Sequence, residues 1–293
     1  MRKITIKNKI KELKPVIWIK SIFMVLIGLE TTRFGVGIGR VSVNIYFGSI
    51  VFVLIAISGI LVVFALKNTD KKGDPRNDVN FKRILVVCIS IFGVGYGLAL
   101  YHTIIYNLES LNLFLLAFLA ITWFLSIYYG KDWKYNAILR NLIISLSFSF
   151  GLLYGASLNN AYLPAVIYLF FGATFLLQIS KDLINDCKHI ERDEREGSKT
   201  FANIMGEEKA QKLSLIFDLL VILFLLIPMF PSFPDIFAQT LYTIVTIITI
   251  IFLAISAFLS FRMNNERTYY RIVKVVLRCG MFLIFAAFIL ANF

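Results

Sequence analysis

Between Lys181 and Thr200 the chain reads KDLINDCKHIERDEREGSKT, a carboxylate-rich stretch at the end of a long apolar run. A helix advances by about 100° per residue, so positions 4, 7 and 11 apart share one face. Asp182, Asp186, His189 and Asp193 carry those offsets. Three carboxylates in one stripe at the end of a membrane helix repel one another unless something positive sits between them. A hard divalent cation carrying a phosphate ester meets that need, because such ions take oxygen ligands from carboxylates and phosphates together.

The elements that must position this stripe are membrane helices. Hydrophobic residues make up 58% of the 293-residue chain and charged residues only 16%, and the mean hydropathy is +0.78. Apolar runs recur between polar breaks, and many reach the roughly 20 residues that cross a bilayer core. The runs place about nine spans, at 16–32, 43–66, 84–106, 111–129, 138–157, 161–181, 212–230, 236–261 and 272–292. No connection between them holds a soluble domain. The expected architecture is a single all-α integral membrane domain over 1–293, its helices arranged around a central cavity.

The net charge of +12 resembles a nucleic-acid signal in size but not in placement. Lys and Arg gather in alternate connections, as the positive-inside rule requires. Arg2, Lys3, Lys7, Lys9, Lys11 and Lys14 precede the first span, and 67–83, 131–140, 188–212 and 262–278 hold most of the rest. The other connections carry only Arg33 and Arg40. This pattern predicts a plasma-membrane protein with a cytoplasmic N-terminus and an external C-terminus. Some of the bases are expected to attract anionic membrane lipids, and no nucleic-acid partner is expected. Residues 1–15 read as a basic amphipathic segment on the cytoplasmic face. Cys88, Cys187 and Cys279 are odd in number and far apart, which argues against a disulfide framework or a zinc site.

Two cytoplasmic connections are unlike the others. One is KNTDKKGDPRNDVNFKR at 67–83, and the second runs through 182–211. Both come after a long apolar helix and mix aspartates with bases. The external connections at 107–110, 158–164 and 228–235 are bland. Charges at a membrane helix end are also typical of any solvated interface, so the aspartate stripe alone does not settle its chemistry.

The residues C-terminal to the stripe narrow the choice. Asp186, Glu191 and Asp193 are succeeded by Gly197 and Thr200, then by Gly206 and Ala210. This order resembles the second aspartate motif of the UbiA superfamily of intramembrane prenyltransferases. Lys181-Asp182 resembles the Lys-Asp opening of that motif but lies one helical turn early. Either four residues are inserted, or the register starts at Asp186. Lys14-Pro15, the run Tyr128, Lys131 and Asn141, and Gly151 with Gly155 are weaker matches. The first motif departs from the family pattern. Asp70 and Asp74 take its last two aspartate positions with Leu66-Lys67 where Asn-Asp is usual, or Asp74 and Asp78 take them with Asp70-Lys71 in that place.

The resemblance implies transfer of an isoprenoid from an allylic polyprenyl diphosphate to an acceptor, with Mg2+ as cofactor. In that reading Asp182, Asp186 and Asp193 are the catalytic carboxylates and hold one metal, while Asp70 and Asp74 hold the other. Arg76, Lys131, Lys181 and Lys199 are diphosphate candidates, and Asn141 is placed to orient a ligand group. The acceptor, aromatic or lipid, is open. Two rivals stand beside this reading. One is a family relative that only binds an isoprenoid or cyclises it, which the altered first motif suggests. The second is a small-molecule transporter, against which the clustering of acids at one face counts. Asp218 falls inside the seventh span, either paired with Lys212 or lining the cavity.

Overall fold

The computed structural model describes residues 15–33, 38–69, 79–106, 110–128, 137–159, 163–195, 197, 199–230, 239–262 and 267–290. Their regular elements are helices: α1 (Pro15–Thr31), α2 (Ile38–Thr69), α3 (Val79–Tyr106), α4 (Ser110–Tyr128), α5 (Ala137–Asn159), α6 (Ala165–Lys188), α7 (Ile190–Arg195), α8 (Phe201–Met205), α9 (Glu207–Leu226), α10 (Gln239–Arg262) and α11 (Arg267–Leu290). Among the described residues, 7 helical stretches are long and apolar enough to cross a membrane. Two shorter apolar stretches, Ile22–Thr31 and Asn112–Ile121, lie in α1 and α4, where the sequence places its first and fourth spans. Asp70, Asp74, Asp78, Arg76 and Lys131 lie outside the described residues.

The helices form two groups. In the first, α1 packs on α2 and α5, α2 packs on α3, and α4 touches α2, α3 and α5. In the second, α6 packs on α9 and α11, and α10 packs on both α9 and α11. Contacts of α5 with α6 and of α1 with α11 join the groups. Helices α1, α5, α6 and α11 therefore close a four-membered ring at the centre.

Lipid tails are as apolar as leucine, so burial alone does not hold such helices together; close backbone approach and interhelical hydrogen bonds do more. Both occur here. A Cβ at Gly155 would lie 2.1 Å from the Val25 carbonyl oxygen, and one at Gly28 would lie 2.2 Å from that of Leu152. The two glycines let the α1 and α5 backbones meet. Large apolar side chains such as Ile104, Phe124, Phe258 and Phe282 point outward, the arrangement a lipid solvent favours.

A polar seam ties the far ends of the first group. The Asn44 amide donates to the Leu158 carbonyl at 2.9 Å and to Asn159 Oδ1 at 2.8 Å. Asn159 in turn donates to the Leu29 carbonyl at 2.7 Å, and His102 Nε2 meets Asn44 Oδ1 at 2.8 Å. Asn159 lies 18 residues beyond Asn141 on α5, about 27 Å along the axis. The seam and the aspartate stripe thus sit at opposite ends of the bundle.

Candidate active site at the end of helix α6

The sequence places the sixth span at 161–181, but helix α6 begins at Ala165, after Pro164, and continues to Lys188. No Gly or Pro interrupts KDLINDCK, so the helix leaves the apolar region with the motif still on it. It stops at His189, which has φ −114° and ψ 15°, and whose N–H bonds back to the Asp186 carbonyl. A new short helix, α7, then carries Asp193. The stripe is therefore one continuous helix only through Asp186. Asp193 follows after a corner, with its own N–H on the His189 carbonyl at 3.0 Å.

The segment after α7 is built from caps. Gly197 has φ 68° and Gly206 has φ 87°, conformations that a side chain disfavours and glycine adopts freely. Between them Thr200 caps α8, its hydroxyl accepting the Asn203 N–H at 3.1 Å. Thr200 and Ala210 are fully buried. Gly197, Thr200, Gly206 and Ala210 thus turn the chain from α7 through α8 into α9 against the helix that carries the aspartates. Thr200→Ala is expected to cost about 1 kcal/mol through the lost cap, read as a lowered unfolding temperature in detergent, whereas Thr200→Ser holds that temperature near wild type.

Asp186 is the buried centre of the motif, 2% exposed. Asn141 of α5 donates its amide to Asp186 Oδ2 at 3.0 Å, so two separate stretches of sequence meet at one carboxylate. Asp182 accepts from Gln178 at 3.0 Å, and the Lys181 ammonium lies 3.8 Å from it. Lys181 also bonds Gln178. Asp193, 7% exposed, accepts from the Arg192 guanidinium at 3.0 and 3.2 Å. Lys199 is exposed on the loop between α7 and α8. His189, outside the membrane-spanning segment, is held below the ordinary histidine range chiefly by burial, then by Arg192, Lys188 and Lys274, against Asp193.

Helix α11 clamps the same region. Lys274 bonds Asn185, the residue before Asp186. Tyr270 donates to Glu207 and receives the Gln211 amide, both from α9. Neither contact was legible from local spacing, because each joins positions far apart in sequence. Gln178, by contrast, is one turn before Asp182, a spacing that marks a same-face partner.

Asp218 takes neither of the roles open to it in the sequence. Lys212 pairs with Glu208 at 2.6 Å on an exposed face. Asp218 is fully buried on α9 and accepts the Ser180 hydroxyl at 2.6 Å, and Ser214 Oγ lies 2.8 Å from Ser180 Oγ. On α6, Ser180 lies about 160° round from Asp182 and about 120° from Asp186, so this pair belongs to the α6–α9 seam behind the stripe.

Among the described residues no three His, Cys, Asp or Glu side chains converge as a ready-made metal cage. A hard ion such as Mg2+ does not need one, since it is usually held by one or two carboxylates together with substrate phosphates and water. An all-oxygen set of carboxylates, one of them buried and fixed by an amide, fits that chemistry. Asp182, Asp186 and Asp193 thus lie in one stretch at the end of α6 and in α7, with Lys181, Arg192 and Lys274 bonded within that stretch.

The model of the UbiA prenyltransferase family matches residues 65–286. This chain belongs to that family. The matched region runs from the end of α2 into α11 and includes both aspartate-bearing connections. Digeranylgeranylglyceryl phosphate synthase of Pyrococcus furiosus is 26% identical over 155 residues, 53% of this chain and 52% of that protein; the chain thus aligns with about half the length of this curated relative. Among solved structures, one from work on digeranylgeranylglyceryl phosphate synthase in membranes aligns at TM-score 0.73 and 17% identity, over 97% of this chain and 99% of that one. A UbiA homologue from Archaeoglobus fulgidus, bound to DMAPP and Mg2+, aligns at TM-score 0.62 and 13% identity, over 93% and 97%. A UbiA homologue from Aeropyrum pernix K1 aligns at 0.56 and 12%, over 90% and 96%. At these identities the solved structures establish the fold: an all-helical UbiA-type membrane bundle. The protein is an integral membrane protein.

Proposed function

We propose that this protein is a Mg2+-dependent prenyltransferase, which moves an isoprenoid group from an allylic polyprenyl diphosphate to an aromatic or lipid acceptor at the membrane. The observation that carries the proposal is the buried Asp186 carboxylate, fixed by Asn141 at 3.0 Å within a chain of the UbiA family. The Pyrococcus relative is named for a product that is a phosphorylated glycerol lipid, which supports a lipid acceptor.

In this reading Asp186 and Asp193, with Asp182, hold one ion, and Asp70 and Asp74 of the first connection hold a second. When bound, Mg2+ neutralises the diphosphate as the allylic C–O bond ionises. The rest falls to the chain. Asn141 holds the Asp186 carboxylate in one orientation, so no reorganisation is needed as charge develops. Lys181, Lys199, Arg76 and Lys131 take the remaining phosphate oxygens. The bundle excludes water that would otherwise capture the allylic cation, and aromatic faces are suited to stabilise it. The whole chain acts as a single domain in the plasma membrane. Its N-terminus and the connections at 67–83 and 182–211 are cytoplasmic, and its C-terminus is external.

The departure of the first connection from the family pattern favours one second reading, a relative that binds or cyclises an isoprenoid without an acceptor. Product analysis separates the two. Purified protein is incubated with geranylgeranyl diphosphate, Mg2+ and either geranylgeranylglyceryl phosphate or an aromatic acid, and the lipid extract is analysed by mass spectrometry. A prenylated acceptor supports transfer. A cyclised hydrocarbon, or unchanged donor that stays bound, supports the second reading and removes the first.

A further inference from the structure

Lys274 is partly buried next to the aspartate-bearing end of α6. It lies inside the apolar stretch Ile272–Leu290, on the packed face of α11. Tyr270, Val273, Leu277, Met281, Ile284 and Phe288 are all buried, and their spacing of threes and fours marks one side of the helix. Lys274 is four residues after Tyr270 and three before Leu277, so it shares that side. The Lys274 ammonium donates to the neutral Asn185 side chain.

The angles on α6 show where that ammonium is held. Taking Asp182 as zero, Asp186 lies at about +40° and Asn185 at about −60°. Asn141 of α5 reaches the Asp186 side, and Lys274 of α11 reaches the Asn185 side. The carboxylate stripe thus faces the space between α5 and α11, which α1 closes by touching both. Lys274 also lies close enough to act electrostatically on His189. Within α6 itself, Lys181 is engaged one turn earlier, with Gln178 and Asp182. Lys274 of α11 therefore brings a cation to Asn185, the residue before Asp186.

We infer that Lys274, oriented by Asn185, binds a phosphate group of a substrate on the α11 side of the carboxylate stripe. The inference rests on the prenyl-transfer reading for its substrates but not for its geometry. The phosphate has two possible sources, the diphosphate of the donor and the phosphate of a lipid acceptor. An ammonium provides a point charge with three donors and serves either one.

The test is a calorimetric titration of the purified full-length protein, wild type and Lys274→Gln, with inorganic diphosphate plus Mg2+ and, separately, with glycerol 1-phosphate. Loss of one charged hydrogen bond is expected to weaken one of these by about 10- to 100-fold. Weakened diphosphate binding assigns Lys274 to the donor, and weakened glycerol phosphate binding assigns it to the acceptor. The matching KM rises with little change in kcat, and Lys274→Arg recovers most of the affinity. Unfolding temperatures measured alongside separate this from packing. If Lys274→Gln lowers the unfolding temperature and binds both probes as wild type does, the residue is structural and the inference fails. It fails too if wild type binds neither probe. Should the Gln variant not fold, Asn185→Ala, which keeps the charge but removes its anchor, is expected to weaken the same probe. Binding that depends on Lys274 without any prenyl transfer would sink the proposed function and leave this inference standing.

Discussion

Asp186→Asn is expected to lower Mg2+-dependent turnover by at least about 100- to 1000-fold, the size of effect seen when one preorganised electrostatic group is removed from a charge-stabilising site. The choice of asparagine matters. Asp186 is 2% exposed and accepts the Asn141 amide. Alanine would leave that amide buried without its acceptor, at a cost of about 1–3 kcal/mol, and would mix a folding defect with a chemical one. Asparagine keeps an oxygen where Asn141 donates and removes only the negative charge. The expected result is a variant with a near-normal unfolding temperature and transfer lowered by that factor. Near-wild-type activity in Asp186→Asn would remove the carboxylate from the chemistry.

Gly155→Leu is expected to have the largest effect on folding. A Cβ there would meet the Val25 carbonyl oxygen at 2.1 Å and its carbon at 2.8 Å. Both are backbone atoms, so no side chain can swing aside and α1 itself must move away from α5. Overpacking typically costs about 1–3 kcal/mol, and a clash between two backbones belongs at or above the top of that range. The movement would also disturb the ring of α1, α5, α6 and α11 and displace Asn141 from Asp186. Gly93→Ala on α3 is the control, because nothing lies within 4 Å of a Cβ at Gly93 and alanine is the better helix former. Thermal unfolding monitored by size-exclusion in detergent should show a large loss for the first variant and none for the second. Equal behaviour of the two would contradict the close α1–α5 contact.

The membrane helices were legible because hydropathy reports the solvent each segment meets. The span read at 138–157 became α5 at Ala137–Asn159, and that at 236–261 became α10 at Gln239–Arg262. Hydropathy missed where helices outrun the bilayer. Helix α6 continues seven residues past the predicted end at 181, because the motif that leaves the apolar region is itself helical. The break at His189 carried no signal either, having no glycine or proline to mark it, so the stripe read as longer than it is. The glycines after it were informative for a physical reason, since Gly197 and Gly206 occupy positive φ.

Within the site, the sequence singled out Asn141 as a polar residue in an apolar span and Asp186 as an acid on a stripe. Their meeting is tertiary and could not be read from spacing. The same holds for Lys274 with Asn185 and for Tyr270 with Glu207. Local periodicity places side chains on faces. Which faces meet is decided by helix packing, here by Gly28 and Gly155 as much as by any charged residue.

The most direct test of the central claim is diphosphate release by the purified protein from geranylgeranyl and shorter allylic diphosphates, with a lipid extract as acceptor, with and without Mg2+. The proposed chemistry predicts release that requires Mg2+ and disappears in Asp193→Ala. Release that is indifferent to Mg2+ or persists in Asp193→Ala, or no release from any allylic diphosphate, would contradict it.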